Sequence, residues 1–400
     1  MLTWEGVTAR RMARHALAEP SAEPDPLDPA GVAGLLCGAH AQILTAAEFS
    51  IGRRIAGATR ADVRRALWED RTLVKTFGPR GTVHLLPAVD LPMWTGALSA
   101  LPPSAPVHPE GVRFTAGQAT EVIAAIGDAL AGDALAGAGP PAKGLPAKGL
   151  TVDELTEAIG ERCGPWAVER TMDAFQDKWP RWRQLTSTAA HHGVLCFGAD
   201  RGRKVTYSHP RSWLPGFVPA DGDAALRALV LRYLHAYGPA TPRHFARWLA
   251  IPPRYATELF GRLARDLERV ELDGEPAWVA AGDTGTPAEP HRGIRLLPYF
   301  DPYVVAGQPR DRLYPGAAAT RALTPSGQAG NYPVLLIDGV VGGVWHQRRA
   351  GRKLALTVEP LAELTMAQRR ALDDEAALLG RVMEATVTLT VGQVTVGPHA

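Results

Sequence analysis

The chain has 400 residues, 46% of them hydrophobic and 21% charged, with a formal net charge of +2. That length allows two to four domains with real cores, and the composition excludes a disordered or membrane-embedded chain. Near-neutral charge neither requires nor excludes nucleic acid, because a basic groove can be balanced by acidic surface elsewhere. Lys75, Lys143, Lys148, Lys178, Lys204 and Lys353 are the only lysines, so Arg supplies the rest of the 43 basic residues. Arg binds phosphate bidentately, and a GC-rich coding sequence favours it too. Cys37, Cys163 and Cys196 are scattered without CxxC spacing, which fits a reducing cytoplasm and suggests neither a disulfide framework nor a zinc site. Met1 to Arg14 holds no apolar run of signal-peptide length, and no stretch is long enough to span a bilayer.

In chain order, Glu5 to Ala18 carries Val7, Arg10, Arg11, Arg14 and Leu17 and predicts an amphipathic helix with a basic face. Prolines at 20, 24, 26 and 29 end it. A second helix holds Val32, Leu35 and Leu36 and is expected to run on through His40. Ala61 to Glu69 is a third. Thr72–Phe77, a Gly78-Pro79-Arg80-Gly81 turn and Thr82–Leu86 read as a hairpin. Helices followed by a two-stranded wing make a winged helix, a DNA-reading module. The order recurs. Ala116–Leu130 is helical, and residues 131–150 form an Ala/Gly/Pro-rich insertion with a direct repeat, read as flexible. Thr151 and Glu154 form a capping box, Trp182–His191 is helical, and Leu195–Gly198 with Lys204–Tyr207 is a second wing. A third copy runs from the Asp223–Tyr237 helix, through Thr241-Pro242 as a helix start and Pro253–Leu267, to a wing turning at Asp273-Gly274.

The last part changes character. Ile294–Leu297, Val334–Ile337, Val340–Trp345, Leu354–Val358 and Ala385–Val391 read as strands, interrupted by one helix, Met366–Leu379. The expected fold is therefore α+β: three tandem winged helices, over residues 1–110, 111–218 and 219–288, followed by a C-terminal β-barrel over 289–400.

Two side chains that can hold a water, His40 and Gln42, stand two residues apart in Leu35-Leu36-Cys37-Gly38-Ala39-His40-Ala41-Gln42, a segment with few other polar groups. A water-holding pair in a DNA-binding scaffold points to hydrolysis on DNA. The plainer role for such a pair is to satisfy backbone groups near a helix end. His191 and His192 are adjacent and point apart on a helix, which suits a helix end better than a ligand site. Trp166, Trp179, Trp182 and Trp213 are read as packing between modules.

The order of parts resembles the bacterial AlkZ-like DNA glycosylases. The resemblance rests on Leu36–Gln42; on Gly81-Thr82-Val83-His84-Leu85; on Arg232-Tyr233-Leu234 with Ala236–Ala240; on Leu297–Tyr303; and on Ile337–Trp345. In that family the active site is a Gln-x-Gln or Gln-x-Asp step, so the resemblance implies Gln42 as the second position, with His40 standing where the family has Gln. It also implies excision of alkylated purines and, in some members, unhooking of interstrand crosslinks. A purine alkylated at N7 or N3 is positively charged and leaves as a neutral molecule. The enzyme then has to position a water and stabilise an oxocarbenium-like sugar. Gln42 would accept a hydrogen bond from the water, and a neutral His40 would accept another or take the proton. Catalysis would weaken as His40 protonates, near an imidazole's reference value of roughly 6.5. No lysine lies in the segment, so the expected product is an abasic site without a Schiff base. The expected partner is double-stranded DNA gripped by a monomer in the cytoplasm, at the nucleoid, with no cofactor, no metal and no membrane. Arg80, Arg201, Arg203 and Lys204 at wings, and Arg348, Arg349, Arg352 and Lys353 at the C-terminal hairpin, are candidate phosphate contacts. His84 and Asp301 are candidates for the neighbourhood of the site, though a half-buried strand position and an Asx-turn before Pro302 are their plainer roles. The alternative to an enzyme is a non-catalytic winged-helix regulator or DNA-damage binder.

Overall fold

Thr3 opens the first helix, Trp4–Arg14, by accepting a hydrogen bond from the Gly6 N–H, and the helix ends at His15. Its basic face turns inward: Arg10 and Arg11 are almost completely buried. Arg10 donates to the Asp283 side chain and to the Asp283 and Gly285 carbonyls, and Arg11 donates to the Gln308 and Pro239 carbonyls. Long guanidinium forks thus serve as fixed struts here, because their terminal nitrogens are met by acceptors, while the Nε of each finds none among the described residues. The structure is a computed structural model describing residues 2–20, 27–103, 108–136, 149–173 and 177–398. Most of the expected insertion, including most of its direct repeat, lies outside the described residues. The chain divides into two compact units, Met1–Arg64 with Val230–Ala400, and Arg65–Leu229.

In the first unit, helices Pro29–Leu35, Leu44–Gly52, Pro242–Leu249 and Pro253–Arg262 precede a five-stranded sheet. Between them Leu267–Leu272 and Glu275–Ala280 form a hairpin through Asp273 and Gly274, both with positive φ. The sheet runs Ile294–Leu297, Val334–Ile337, Val340–Ala350, Lys353–Pro360, Thr386–Val391 in spatial order. The first three pairings are antiparallel and the last is parallel. A parallel neighbour requires a crossover, supplied by helix Met366–Val382, which opens with a Thr365/Gln368 capping box.

The expected C-terminal barrel is an open half-barrel: among the described residues the first and last strands do not pair. The reason lies in the side-chain alternation. Leu296, Leu335, Trp345, Leu356 and Val358 pack on one face with Phe49, Leu372 and Leu379. Leu297, Leu336, Val341 and Val344 pack on the other with Met12, Leu17, Tyr303 and Tyr314. Helices cover both faces, so closure is not needed to bury them.

The second unit holds the hairpin Leu73–Phe77 and Val83–Pro87, turned by Pro79–Gly81 with Arg80 at φ 62°. It also holds a second hairpin, Cys196–Arg201 and Lys204–Ser208, whose inner strand pairs with Leu150–Thr151. Helix Ala116–Ala136 extends six residues past the expected end at Leu130 and packs on Val152–Cys163. The Thr151/Glu154 capping box is present. Trp182 and Trp213 are buried, donating to Thr156 Oγ1 and the Leu67 carbonyl. Trp179 is instead 44% exposed, with the Arg183 guanidinium 3.9 Å over its ring. The fold is mixed α+β. Among the described residues no helix is long and apolar enough to cross a membrane.

Candidate active site

The helix that precedes His40 does not reach it. Pro29–Leu35 ends with Cys37 at φ 50° and Gly38 at φ 93°. The Gly38 N–H returns to the Ala33 carbonyl, 2.8 Å away, closing the last turn. Ala39 and His40 are then extended, so the expected continuation of the helix through His40 is replaced by strand. The cause is local: positive φ at two successive residues cannot continue a right-handed helix. The turn is pinned from outside by Tyr237, whose hydroxyl donates to the Leu36 carbonyl at 2.6 Å. Burial pushes the Tyr237 phenol well above its ordinary range, so it remains a donor.

His40 is 8% exposed and stacks on Phe300, ring centroids 4.6 Å apart and planes 30° apart. Phe300 itself has φ 58°. Gly330 backs its ring: a Cβ there would stand 2.6 Å from Phe300 Cδ1, at a backbone φ of 106°. Gln42, two residues after His40, is exposed. The next helix, Leu44–Gly52, begins immediately after it without a side-chain cap.

That helix is fastened at its far end. Arg54 is fully buried and grips Asp301 with both terminal nitrogens, 2.9 Å to each carboxylate oxygen. Ser50 donates to the same carboxylate at 2.7 Å, and Arg54 Nε donates to the His15 carbonyl. Burial alone would raise the Asp301 pKa. The Arg54 charge, with hydrogen bonds from Arg54, Ser50 and the Tyr303 N–H, overcomes that and holds the carboxyl below the usual range. Glu48, on the same helix, is buried and paired with Arg60 and Arg64. The His40–Gln42 segment is therefore suspended between two fixed points, the Tyr237–Leu36 bond before it and the Arg54–Asp301 pair after it.

Of the residues singled out from sequence, His40, Gln42 and Asp301 share one unit. Asp301 makes the expected turn, accepting from the Tyr303 N–H at 3.0 Å, and its larger role as the Arg54 partner carried no sequence signal. His84 belongs to the other unit, 4% exposed, with Nδ1 2.8 Å from the Thr82 carbonyl. His191 ends its helix, and burial lowers its pKa to about 4. Arg201 and Lys204 are exposed, and each already pairs with a carboxylate of the Val152–Cys163 helix, Glu154 and Asp153 respectively. Arg203 is exposed at the tip of that wing. Arg348, Arg349, Arg352 and Lys353 are exposed at the end of the longest hairpin, where Arg349 donates to the Gly351 and Met383 carbonyls. Among the described residues no group of three His, Cys, Asp or Glu side chains is placed to hold a metal ion.

His40 thus presents a stacked imidazole from a short extended segment, and the Gln42 side chain two residues on is exposed. The profile of the DNA glycosylase AlkZ-like family matches residues 33–382. The chain belongs to the AlkZ-like DNA glycosylase family. It is accordingly an enzyme, which sets aside the non-catalytic regulator. An AlkZ-like relative from Streptomyces sahachiroi, an interstrand DNA cross-link repair glycosylase, is 31% identical over 95% of this chain and 96% of its own length. The solved structure of Streptomyces sahachiroi DNA glycosylase AlkZ superposes with a TM-score of 0.78 at 27% identity, covering 98% of this chain and all of that one.

Proposed function

We propose that this glycosylase hydrolyses the N-glycosidic bond of alkylated purines in double-stranded DNA, bulky N7-alkylguanines and the guanines of interstrand crosslinks among them. The observation that carries the proposal is His40 stacked on Phe300 beside the exposed Gln42. The stack fixes the imidazole plane, and Gln42 is open to a substrate.

Alkylation at N7 gives the base a positive charge, so the bond breaks towards a neutral leaving base and no acid is needed on that side. Gln42 Oε1 accepts one hydrogen of a water, and a neutral His40 accepts the other and takes the proton as the oxygen bonds to C1′. The sugar passes through an oxocarbenium-like state and ends as an abasic site. Amide and imidazole suffice because the lesion itself has weakened the bond. No lysine is in the segment, so water is the nucleophile and no Schiff base forms.

Three helix-and-hairpin segments, 1–110, 111–218 and 219–288, act as winged helices, and 289–400 adds the half-barrel. The protein works as a monomer in the cytoplasm, on the chromosome. Arg203, Arg348, Arg352 and Lys353 meet phosphates through exposed side chains. Arg201 and Lys204 exchange exposed carboxylate partners for phosphate, at little cost because such surface pairs contribute little. The crosslink-repair name of the 31% identical relative supports a substrate of this class. The test is alkali treatment of duplexes carrying a single N7-methylguanine or a single N7-crosslinked guanine after incubation with the protein. Strand cleavage at the lesion is the expected result, and tight binding with no cleavage at high enzyme overturns the proposal.

A further inference from the structure

A cavity of about 180 Å³ opens one residue beyond Gln42. Its rim carries Ile43 and Thr45, both exposed, and its walls are Phe49, Tyr299 and Trp345. Trp345 cannot swing away. Its indole N–H is held by the Leu297 and Val334 carbonyls, at 2.9 and 3.2 Å, and Phe49 meets it edge-on at 6.4 Å. Tyr299 precedes Phe300, the ring that stacks on His40, so one wall of the cavity is continuous in sequence with the catalytic stack. Gln347 also lines the cavity. Its Oε1 is sealed from solvent, and no donor among the described residues reaches it. A buried amide oxygen without a donor is costly in a finished core. The oxygen itself faces away from the cavity that the rest of the Gln347 side chain lines, one side-chain rotation from it.

We propose that this cavity is a subsite for the substituent carried by the damaged base, and that it takes a single aromatic ring bearing one N–H or O–H donor to Gln347 Oε1. A rotation about the last side-chain bond of Gln347 presents that acceptor to the ring. The assignment rests on the reading that the protein excises alkylated purines. Size selects the occupant. An apolar cavity of about 150 Å³ accepts one benzene ring, so this one takes a ring with a small polar group and excludes a purine that still carries its alkyl group. The damaged base stays at His40 and Gln42 while its substituent enters beside them.

Two measurements test this. In the first, phenol and benzene are titrated into the whole protein while the Trp345 indole N–H and Gln347 side-chain amide resonances are followed. Phenol binds about fivefold tighter than benzene, and in Gln347→Leu the two bind equally, with the benzene affinity showing that the cavity is intact. Gln347→Met repeats the comparison should Gln347→Leu fail to fold. Equal affinities in the wild type, or no shift at Trp345, overturn the proposal. In the second, excision of N7-(3-hydroxybenzyl)guanine is compared with that of N7-benzylguanine. The wild type prefers the hydroxylated lesion about fivefold in kcat/KM. Gln347→Leu loses that preference and removes N7-methylguanine at the wild-type rate. A preference that survives in Gln347→Leu overturns the subsite. Should the wild type excise none of these bases, the proposed function fails, and the phenol titration still decides what the cavity binds.

Discussion

His40 is placed by contacts rather than by its own helix. Phe300 sets its ring plane, and the residue is held in extended backbone by the left-handed turn at Cys37 and Gly38. Its proposed role as proton acceptor makes a directional prediction. A protonated imidazole accepts no hydrogen bond, so the wild-type rate falls on acidification, while His40→Gln keeps a water-holding amide with no titration and gives a flat profile at a rate about tenfold lower. Single-turnover excision of N7-methylguanine across the range in which the fold is stable measures both. A wild-type profile as flat as that of His40→Gln would assign the proton to bulk solvent. The sequence singles out the pair because two side chains able to hold a water stand in an otherwise apolar segment. The backbone was not legible there. Val32, Leu35 and Leu36 continue a helical period, and nothing at Cys37 announces a positive φ, which only Gly38 favours.

At the scale of elements, the helix Leu44–Gly52 escaped the sequence reading. It has no side-chain cap, and it is buried almost all round, with Ala46, Ala47, Glu48, Phe49, Ser50, Ile51 and Gly52 enclosed, so it shows no polar stripe. A helix of this kind depends on its anchors, and Arg54–Asp301 is the deepest of them. Asp301→Ala leaves a buried guanidinium without its partner and is expected to cost about 3–5 kcal/mol, read from urea unfolding. A loss under 1 kcal/mol would mean that the pair contributes no more than a surface bridge. Gly330→Ala is milder and more local. The added Cβ at φ 106° strains the backbone and pushes Phe300 off its position, so the urea midpoint falls by the equivalent of about 1–3 kcal/mol and excision slows several-fold. An unchanged rate would remove Phe300 from the positioning of His40. The hairpins were the most legible elements, since a pair such as Asp273-Gly274 supplies the two successive positive φ values that a tight turn needs. The barrel was over-read: strand count and spacing are the same for a closed barrel and a sheet covered on both faces, and what separates them here is that the first and last strands do not pair among the described residues.

For the whole molecule, charge and acidity make the clearest statements. Burial is the largest cause lowering the pKa of His15 to about 3 and those of His191, His209 and His244 to about 4. Each is neutral in the fold and protonates near 6.5 when unfolded. Between those values the unfolded chain binds more protons, so stability is full above pH 6.5 and falls steadily as the pH drops towards 4. Thermal unfolding at pH 7.5 and pH 5 tests this, and His15→Gln shallows the dependence. A melting temperature that does not change between those pH values contradicts the burial seen here. In the proposed function the DNA grip falls to a few exposed side chains, Arg203 and Arg352 among them. Arg203→Ala and Arg352→Ala should each lower the slope of binding against salt by about one. Unchanged slopes would place the phosphate contacts elsewhere.

The central claim is that His40 and Gln42 activate one water together. Single-turnover excision of N7-methylguanine by His40→Ala, Gln42→Ala and the double variant tests it most directly. Residues that act as a unit are non-additive, so Gln42→Ala is expected to slow excision by about a hundredfold or more, with the double variant no more than a few-fold slower than the slower single. A double variant that excises at the wild-type rate, or one whose defect is the product of the two single defects, would contradict it.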